Sequence, residues 1–114
     1  MPKKTERILR GIITLYILRL LIDQPRHGYE LEKIINEKLE YRLPEGSIYI
    51  ILKYMIQKQL ISAETIKNNK GQLVKKYHIT EKGKEFFINH EKPLMAVRKV
   101  IDELLQVISQ IKYH

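Results

Sequence analysis

The sequence contains no cysteine and no tryptophan, and its 114 residues include five glycines and two aspartates. Without cysteine, disulfide frameworks, thiolate zinc sites and cysteine nucleophiles are excluded. The glycines occur singly, so no glycine-rich loop can hold a phosphate as a P-loop or a dinucleotide fingerprint does. None of the four histidines has metal-ligand spacing, and none of the serines lies in a nucleophile elbow. We therefore expect no enzyme, no metal site and no cofactor.

Long hydrophobic runs are also missing. The longest covers residues 12–18 and is interrupted by Arg19, well short of the roughly 18 to 20 residues that a membrane-spanning helix needs. The residues that follow supply no signal-peptide cleavage site. We expect a cytoplasmic protein without a membrane partner.

Hydrophobic residues make up 44% of the chain and charged residues 30%, which is typical of a folded globular protein. The formal net charge is +8. Such an excess favours polyanions such as nucleic acid or anionic lipid, because lysine and arginine release counterions when they meet phosphates. A soluble protein with a lysine-rich surface is the alternative that charge alone leaves open.

Periodicity predicts three helices in the first half of the chain. The first covers about residues 5–23, with Thr5 as its cap and Pro25 beyond its end. It is apolar around most of its circumference, which predicts cover on two sides, the second by a partner subunit. A second helix at about 28–40 and a third at about 45–59, separated by a short break, form the helix-turn-helix pattern.

The period then changes to that of strands. Residues 61–67 and 73–79 alternate as β-strands do, and the polar segment 68–72 between them has turn chemistry. A β-hairpin is predicted at about 61–80, with Tyr77 and Ile79 in the core. Thr80 is expected to cap a further helix, in which Gly83 is a packing position. The expected fold class is mostly α with a small β-hairpin (α+β).

The last segment, residues 91–114, is predicted to be a helix with an apolar seam. The seam residues are spaced alternately three and four apart, as in a heptad repeat: Leu94, Val97, Ile101, Leu104, Ile108 and Ile111. We expect this helix to mediate dimerisation. A helix folded back onto its own domain is the alternative. The chain is thus predicted to consist of one domain at 1–90, which contains the helix-turn-helix and the hairpin, and a dimerisation helix at 91–114.

Positive charge is concentrated in the hairpin, where residues 62–77 contain four lysines and one glutamate. A basic hairpin that follows a helix-turn-helix is what a winged helix uses to hold the DNA backbone beside the groove its third helix enters. An exposed hairpin that simply collects lysines is the alternative.

Three segments together resemble the PadR family of transcriptional regulators. They are His27-Gly28-Tyr29-Glu30-Leu31, Gly46-Ser47-Ile48-Tyr49 and Lys76-Tyr77-His78-Ile79-Thr80-Glu81-Lys82-Gly83, and the resemblance covers about residues 8–85. It implies a winged helix-turn-helix, a C-terminal dimerisation helix and repression through operator binding. Ile50 departs from the family pattern, which usually has proline at that position.

Roles for individual residues follow from their chemistry and from the resemblance. In the third helix, Ser47 and Tyr49 are predicted to reach base edges or phosphates, Lys53 to contact bases or backbone, and Gly46 to admit a phosphate to the helix N-terminus. Tyr49 as a packed core residue stays open. In the hairpin, the predicted phosphate contacts are Lys70, Lys75 and Lys76. His27, Gly28 and Tyr29 are assigned a structural role.

We therefore expect a homodimeric repressor that binds a pseudo-palindromic site in double-stranded DNA. A winged-helix module for protein-protein interaction and a non-specific architectural DNA-binding protein are the alternatives. The resemblance implies that a small-molecule effector can bind between the dimerisation helices and the winged domain, but the sequence does not identify one. Tyr16, Phe86 and Phe87 either line such a pocket or belong to the core.

Overall fold

The order of elements along the chain is helix, short strand, two helices, two strands and two helices. The computed structural model describes residues 6–114. The elements are α1 Arg7–Asp23, β1 Arg26–His27, α2 Gly28–Leu39, α3 Ser47–Gln57, β2 Ile61–Lys67, β3 Leu73–Ile79, α4 Glu81–Ile88 and α5 Glu91–Lys112. This confirms the predicted fold class. Thr5, the predicted cap of α1, lies outside the described residues, and Glu6 occupies the N-cap position.

The core is formed where α1, α2 and α3 meet. Its fully buried side chains come from all three helices: Ile13, Ile17, Leu18, Leu31, Ile35, Ile48, Leu52 and Met55. Burying each of these contributes about 1.5–3 kcal/mol, so the three helices hold one another in place. On α1, the opposite side keeps Ile8 and Ile12 exposed, so the single chain leaves part of that helix uncovered.

The turn between α2 and α3 is defined by two backbone positions. Helix α2 ends where Glu40 adopts φ 51°, and α3 begins after Gly46 at φ 81°. The left-handed region is nearly free of cost for glycine, which explains Gly46 at this position. The amide of Ser47 donates to the carbonyl of Pro44, so the residues before Ser47 form a turn. Helix α3 is therefore shorter at each end than the predicted 45–59.

The sheet has three antiparallel strands in the order β1-β3-β2, one more than the predicted hairpin. The hairpin register pairs Ile61 with Ile79 and Lys67 with Leu73. The added strand β1 pairs Arg26 with Tyr77, which ties the start of α2 to the hairpin. A strand of two residues has no periodicity, so the sequence offered no signal for it.

Thr80 and Gly83 join the hairpin to α4 as predicted. The amide of Gly83 donates to the Thr80 hydroxyl at 3.0 Å. A Cβ at Gly83 would lie 2.1 Å from the carbonyl oxygen of Leu60, so only glycine allows this approach of α4 to the segment that joins α3 to β2.

Helix α5 extends away from the core. Its 22 residues span about 33 Å, and none of them is buried. Within the described residues, the long dimension of the molecule is 57 Å against 32 and 25 Å for the other two.

Candidate nucleic-acid interface

The buried side of α3 decides which of its residues face outward. Ile48, Leu52 and Met55 point into the core. Side chains three and four positions apart share a face of a helix, so Ile50, Lys53 and Gln57 form one stripe on the opposite side, and all three are exposed. This outward stripe contains Lys53, which the sequence predicted, and two residues that it did not.

Tyr49 lies beside this stripe, at the contact between α3 and α2. An ideal Cβ at Gly28 would lie 2.8 Å from Cε1 of the Tyr49 ring, so the ring packs directly over that glycine. Tyr49 nevertheless keeps 45% of its surface exposed. Partial burial, followed by the negative charge of Glu32, raises the pKa of its hydroxyl. Of the two roles left open by the sequence, packing and groove contact, the structure accommodates both.

Ser47 does not face the outward side. It is 4% exposed, and its hydroxyl donates to the carbonyl of Pro44. The side chain thus holds the turn before α3, and the groove contact predicted for it is inconsistent with this position. Gly46, one residue earlier, has open space around its Cβ position, as a close approach by a ligand requires.

The tip of the hairpin is ordered by Asn68. Its side-chain oxygen accepts the amides of Lys70 and Gln72, both at 2.9 Å, and Gly71 adopts φ 77°. These bonds fix the backbone from which the exposed Lys70 side chain extends into solvent.

Lys75 and Lys76 point to opposite faces of β3. Side chains alternate along a strand, and Tyr77 is buried against the helices, so Lys75 lies on the helix-facing side and Lys76 on the other. Glu64 stands directly across from Lys76 in the neighbouring strand. The two lysines, which the sequence grouped together, therefore have different surroundings.

A cleft of about 740 Å³ separates α3 from β3. Lys53 enters it from the helix and Lys75 from the strand, and Tyr49 and Tyr77 form its inner wall. Within the described part of the chain, no carboxylate lines this cleft. Glu32 acts on the Tyr49 hydroxyl from outside the lining, so the two ammonium groups are the charged groups of the lining itself, and they favour a phosphate. We call this cleft the α3–wing cleft, the wing being the β2–β3 hairpin, and it is the strongest candidate site for nucleic acid.

The start of α2 forms one rim of the same cleft. The amide of His27 donates to the carboxylate of Glu30 at 2.8 Å, which caps the helix. The rings of His27 and Tyr29 stack with centroids 5.3 Å apart, and Tyr29 is exposed. The structural role predicted for this segment fits Gly28 and His27, whereas Tyr29 presents its ring at the rim of the cleft.

A second cleft, of about 690 Å³, lies between α1, α4 and the start of α5. Phe86 lines it and packs against His90 with ring centroids 4.4 Å apart. All three aromatic residues considered for an effector pocket pack against the core, and Phe86 also lines this cleft.

The seam predicted on α5 is uncovered in the single chain. Five of its six residues are exposed and Ile101 is half-buried. Three other exposed apolar side chains of this helix flank the seam: Val100, Leu105 and Val107. The first half of the seam lies beside Ile12 of α1, whereas Leu104, Ile108 and Ile111 extend beyond the domain and are exposed.

Among residues 6–114, none of the helices combines the length and apolar character needed to cross a bilayer. The same residues include no group of three or more histidine, aspartate or glutamate side chains placed to hold a metal ion.

Comparisons with known proteins agree on one family. The sequence model of the transcriptional regulator PadR-like family matches residues 17–89, from the middle of α1 to just past α4. A crystal structure from Thermoplasma acidophilum, of a protein assigned to the transcriptional regulators, is 50% identical and covers 89% of this chain and 97% of that chain, with a TM-score of 0.84. A PadR-like transcriptional regulator from Bacillus cereus is 31% identical and covers 89% of this chain and 98% of that chain, with a TM-score of 0.72.

One structure similar in fold contains nucleic acid. It is Bacillus subtilis PadR in complex with operator DNA, and it is 24% identical to this chain. The match covers 68% of this chain and 45% of that chain, with a TM-score of 0.61.

Proposed function

Because this chain belongs to the PadR-like family of transcriptional regulators, we propose that it is a homodimeric, sequence-specific DNA-binding repressor. The membership confirms the resemblance found in its sequence. The Bacillus subtilis relative with a similar fold, crystallised with operator DNA, supports duplex DNA as the ligand.

The observation that carries the proposal is the α3–wing cleft, which both Lys53 and Lys75 line and which no carboxylate of the described residues lines. In a helix-turn-helix protein the second helix of the motif enters the major groove, and phosphate contacts on either side fix its position. With α3 in the groove, Lys53 and Tyr49 are placed to meet the DNA, and Lys75 and Lys70 to meet the backbone beside it. Gly46, just before α3, is half-buried and has open space around its Cβ position.

The uncovered seam of α5 supports the homodimer. An exposed apolar face of this length is unstable in water unless a second surface covers it. A second copy of the chain supplies an identical face, and a two-fold axis lets each copy cover the other. Two copies of α3 are then held at a fixed separation, which matches a pseudo-palindromic site with half-sites about one helical turn, or roughly 10 base pairs, apart.

A repressor acts by occupying its operator, so tight and selective binding is the property to test. No catalytic group is needed for this role, and it places the protein in the cytoplasm with the DNA. Contacts with phosphates fix the affinity, whereas contacts of exposed α3 side chains with base edges fix the sequence preference. Lys53 and Gln57 belong to both the cleft and the outward stripe.

A mobility shift with the DNA upstream of the protein's own gene tests the proposal. We expect binding that is selective over a scrambled duplex at two salt concentrations. If the dimer neutralises about six to ten phosphates, log K falls with log salt at a slope of about −0.9 per phosphate. Equal binding to both duplexes identifies an architectural protein instead, and absence of binding at low salt favours a protein-protein interaction module.

A further inference from the structure

Ile50 is an apolar side chain on the solvent-exposed side of a helix, where polar residues are usual. It lies in the first turn of α3, and 71% of its surface is exposed. Its amide donates to the carbonyl of Gly46 at 3.2 Å, so its backbone belongs to the helix and fixes the direction of the side chain. Exposure of a β-branched residue at this point adds nothing to the stability of the helix.

Ile50 belongs neither to the core nor to the apolar seam of α5, so neither accounts for an exposed apolar side chain at this position. Most of the other strongly exposed aliphatic side chains lie on α1, on α5 or at the hairpin tip. Ile50 instead shares the outward stripe of α3 with Lys53 and Gln57, and it lines neither of the two clefts described above. The partner that contacts this stripe is therefore the one that contacts Ile50.

The major groove offers one apolar group to such a side chain. Among the base edges exposed there, thymine alone carries a C5-methyl group, and apolar side chains recognise it by contact. Residues in the first turns of a recognition helix reach base edges. A branched aliphatic group has no hydrogen bond to offer, so thymine is the base to which it is complementary.

We propose that Ile50 determines specificity by packing against the C5-methyl group of a thymine in each half-site. This inference rests on the proposed function, since it requires α3 to enter the major groove. Burying a methyl group is equivalent to about a fourfold change in affinity per contact. Cytosine and uracil lack the methyl group and are disfavoured by that factor.

A double-substitution cycle tests the contact directly. The preferred duplex is first selected from random sequences with the unmodified protein. Each thymine of a half-site is then replaced in turn by deoxyuridine, which removes only the methyl group. The dissociation constant of each duplex is measured with the unmodified protein, with Ile50→Ala and with Gln57→Ala as the matched control from the same stripe.

We expect deoxyuridine at one position of each half-site to raise the dissociation constant about fourfold for the unmodified protein and for Gln57→Ala. The same replacement should leave the dissociation constant of Ile50→Ala unchanged. The proposal is overturned if Ile50→Ala keeps every deoxyuridine penalty, if no position is penalised in the unmodified protein, or if the half-site contains no thymine. Failure to select any duplex refutes the proposed function itself, which is a separate result. Because Ile50 is exposed, an unchanged melting temperature is expected to verify that Ile50→Ala is folded.

Discussion

Leu104 lies in the middle of the α5 seam, where truncation should weaken the dimer without disturbing the single chain. In that chain 54% of its surface is exposed. Complete burial of a leucine contributes about 1.5–3 kcal/mol, so covering the exposed half contributes roughly 1 kcal/mol per chain. A two-fold interface counts the residue twice, so Leu104→Ala should cost about 2 kcal/mol of dimerisation free energy. This corresponds to a dimer dissociation constant about 30-fold higher.

Sedimentation velocity over a range of protein concentrations measures this change. The matched control is Gln106→Ala, an exposed residue on the side of α5 away from the seam, which should leave the dissociation constant unchanged. Leucine, glutamine and alanine are all good helix formers, so both variants should retain α5. The reasoning is refuted if the unmodified chain sediments as single chains at every concentration, or if both variants weaken the dimer equally.

Three further outcomes are expected. Gly83→Ala places a Cβ against the Leu60 carbonyl, so it should lower the free energy of unfolding by about 2 kcal/mol or more and the melting temperature by roughly 10 °C. The control Lys82→Ala should leave the melting temperature unchanged. Equal melting temperatures for the two variants would contradict the packing. Lys75→Ala should weaken binding to all DNA sequences alike and reduce the salt slope by about 0.9 per half-site. Lys76→Ala should reduce the slope less. The reverse order would refute the α3–wing cleft as the site of phosphate contact. Burial, followed by Tyr49, raises the pKa of Tyr77 above 10.0, so the stability present below that pH should fall as the pH rises beyond it. In thermal melts from about pH 8 to pH 11, Tyr77→Phe should reduce this fall. An unchanged profile would show that the Tyr77 hydroxyl does not cause it.

The helices and the hairpin were predictable because each repeats its pattern over several turns or residues. The structure has helices where residues recur every three to four positions, in α2, α3 and α5, and a strand where they alternate, in β3. The ends of these elements differ from the predicted ends by a few residues. The shifts at α3 have a local cause, since the left-handed Gly46 and the Pro44 carbonyl form a turn that periodicity does not register. Strand β1 was missed because its pairing with β3 joins residues far apart in the sequence.

The candidate site was predictable only in part, because a site depends on which way side chains point. Residue type and position in the third helix singled out Lys53, and the structure shows its side chain exposed at the α3–wing cleft; its contact with DNA stays a prediction. The same reasoning failed for Ser47, whose hydroxyl is used within the protein, and it did not separate Lys75 from Lys76. The alternation of β3 relative to Tyr77 was a signal that could have separated them. In the sequence Ile50 was only a departure from the family pattern, and its exposure in the structure is what supports the contact proposed for it.

The central claim is that two copies of the chain present two α3 helices to one duplex. Selection of bound sequences from random DNA, using the full chain, tests it most directly. We predict enrichment of an inverted repeat whose half-site centres lie about 10 base pairs, or a multiple of that, apart. Enrichment of a single undivided motif, or no enrichment at all, would contradict the account.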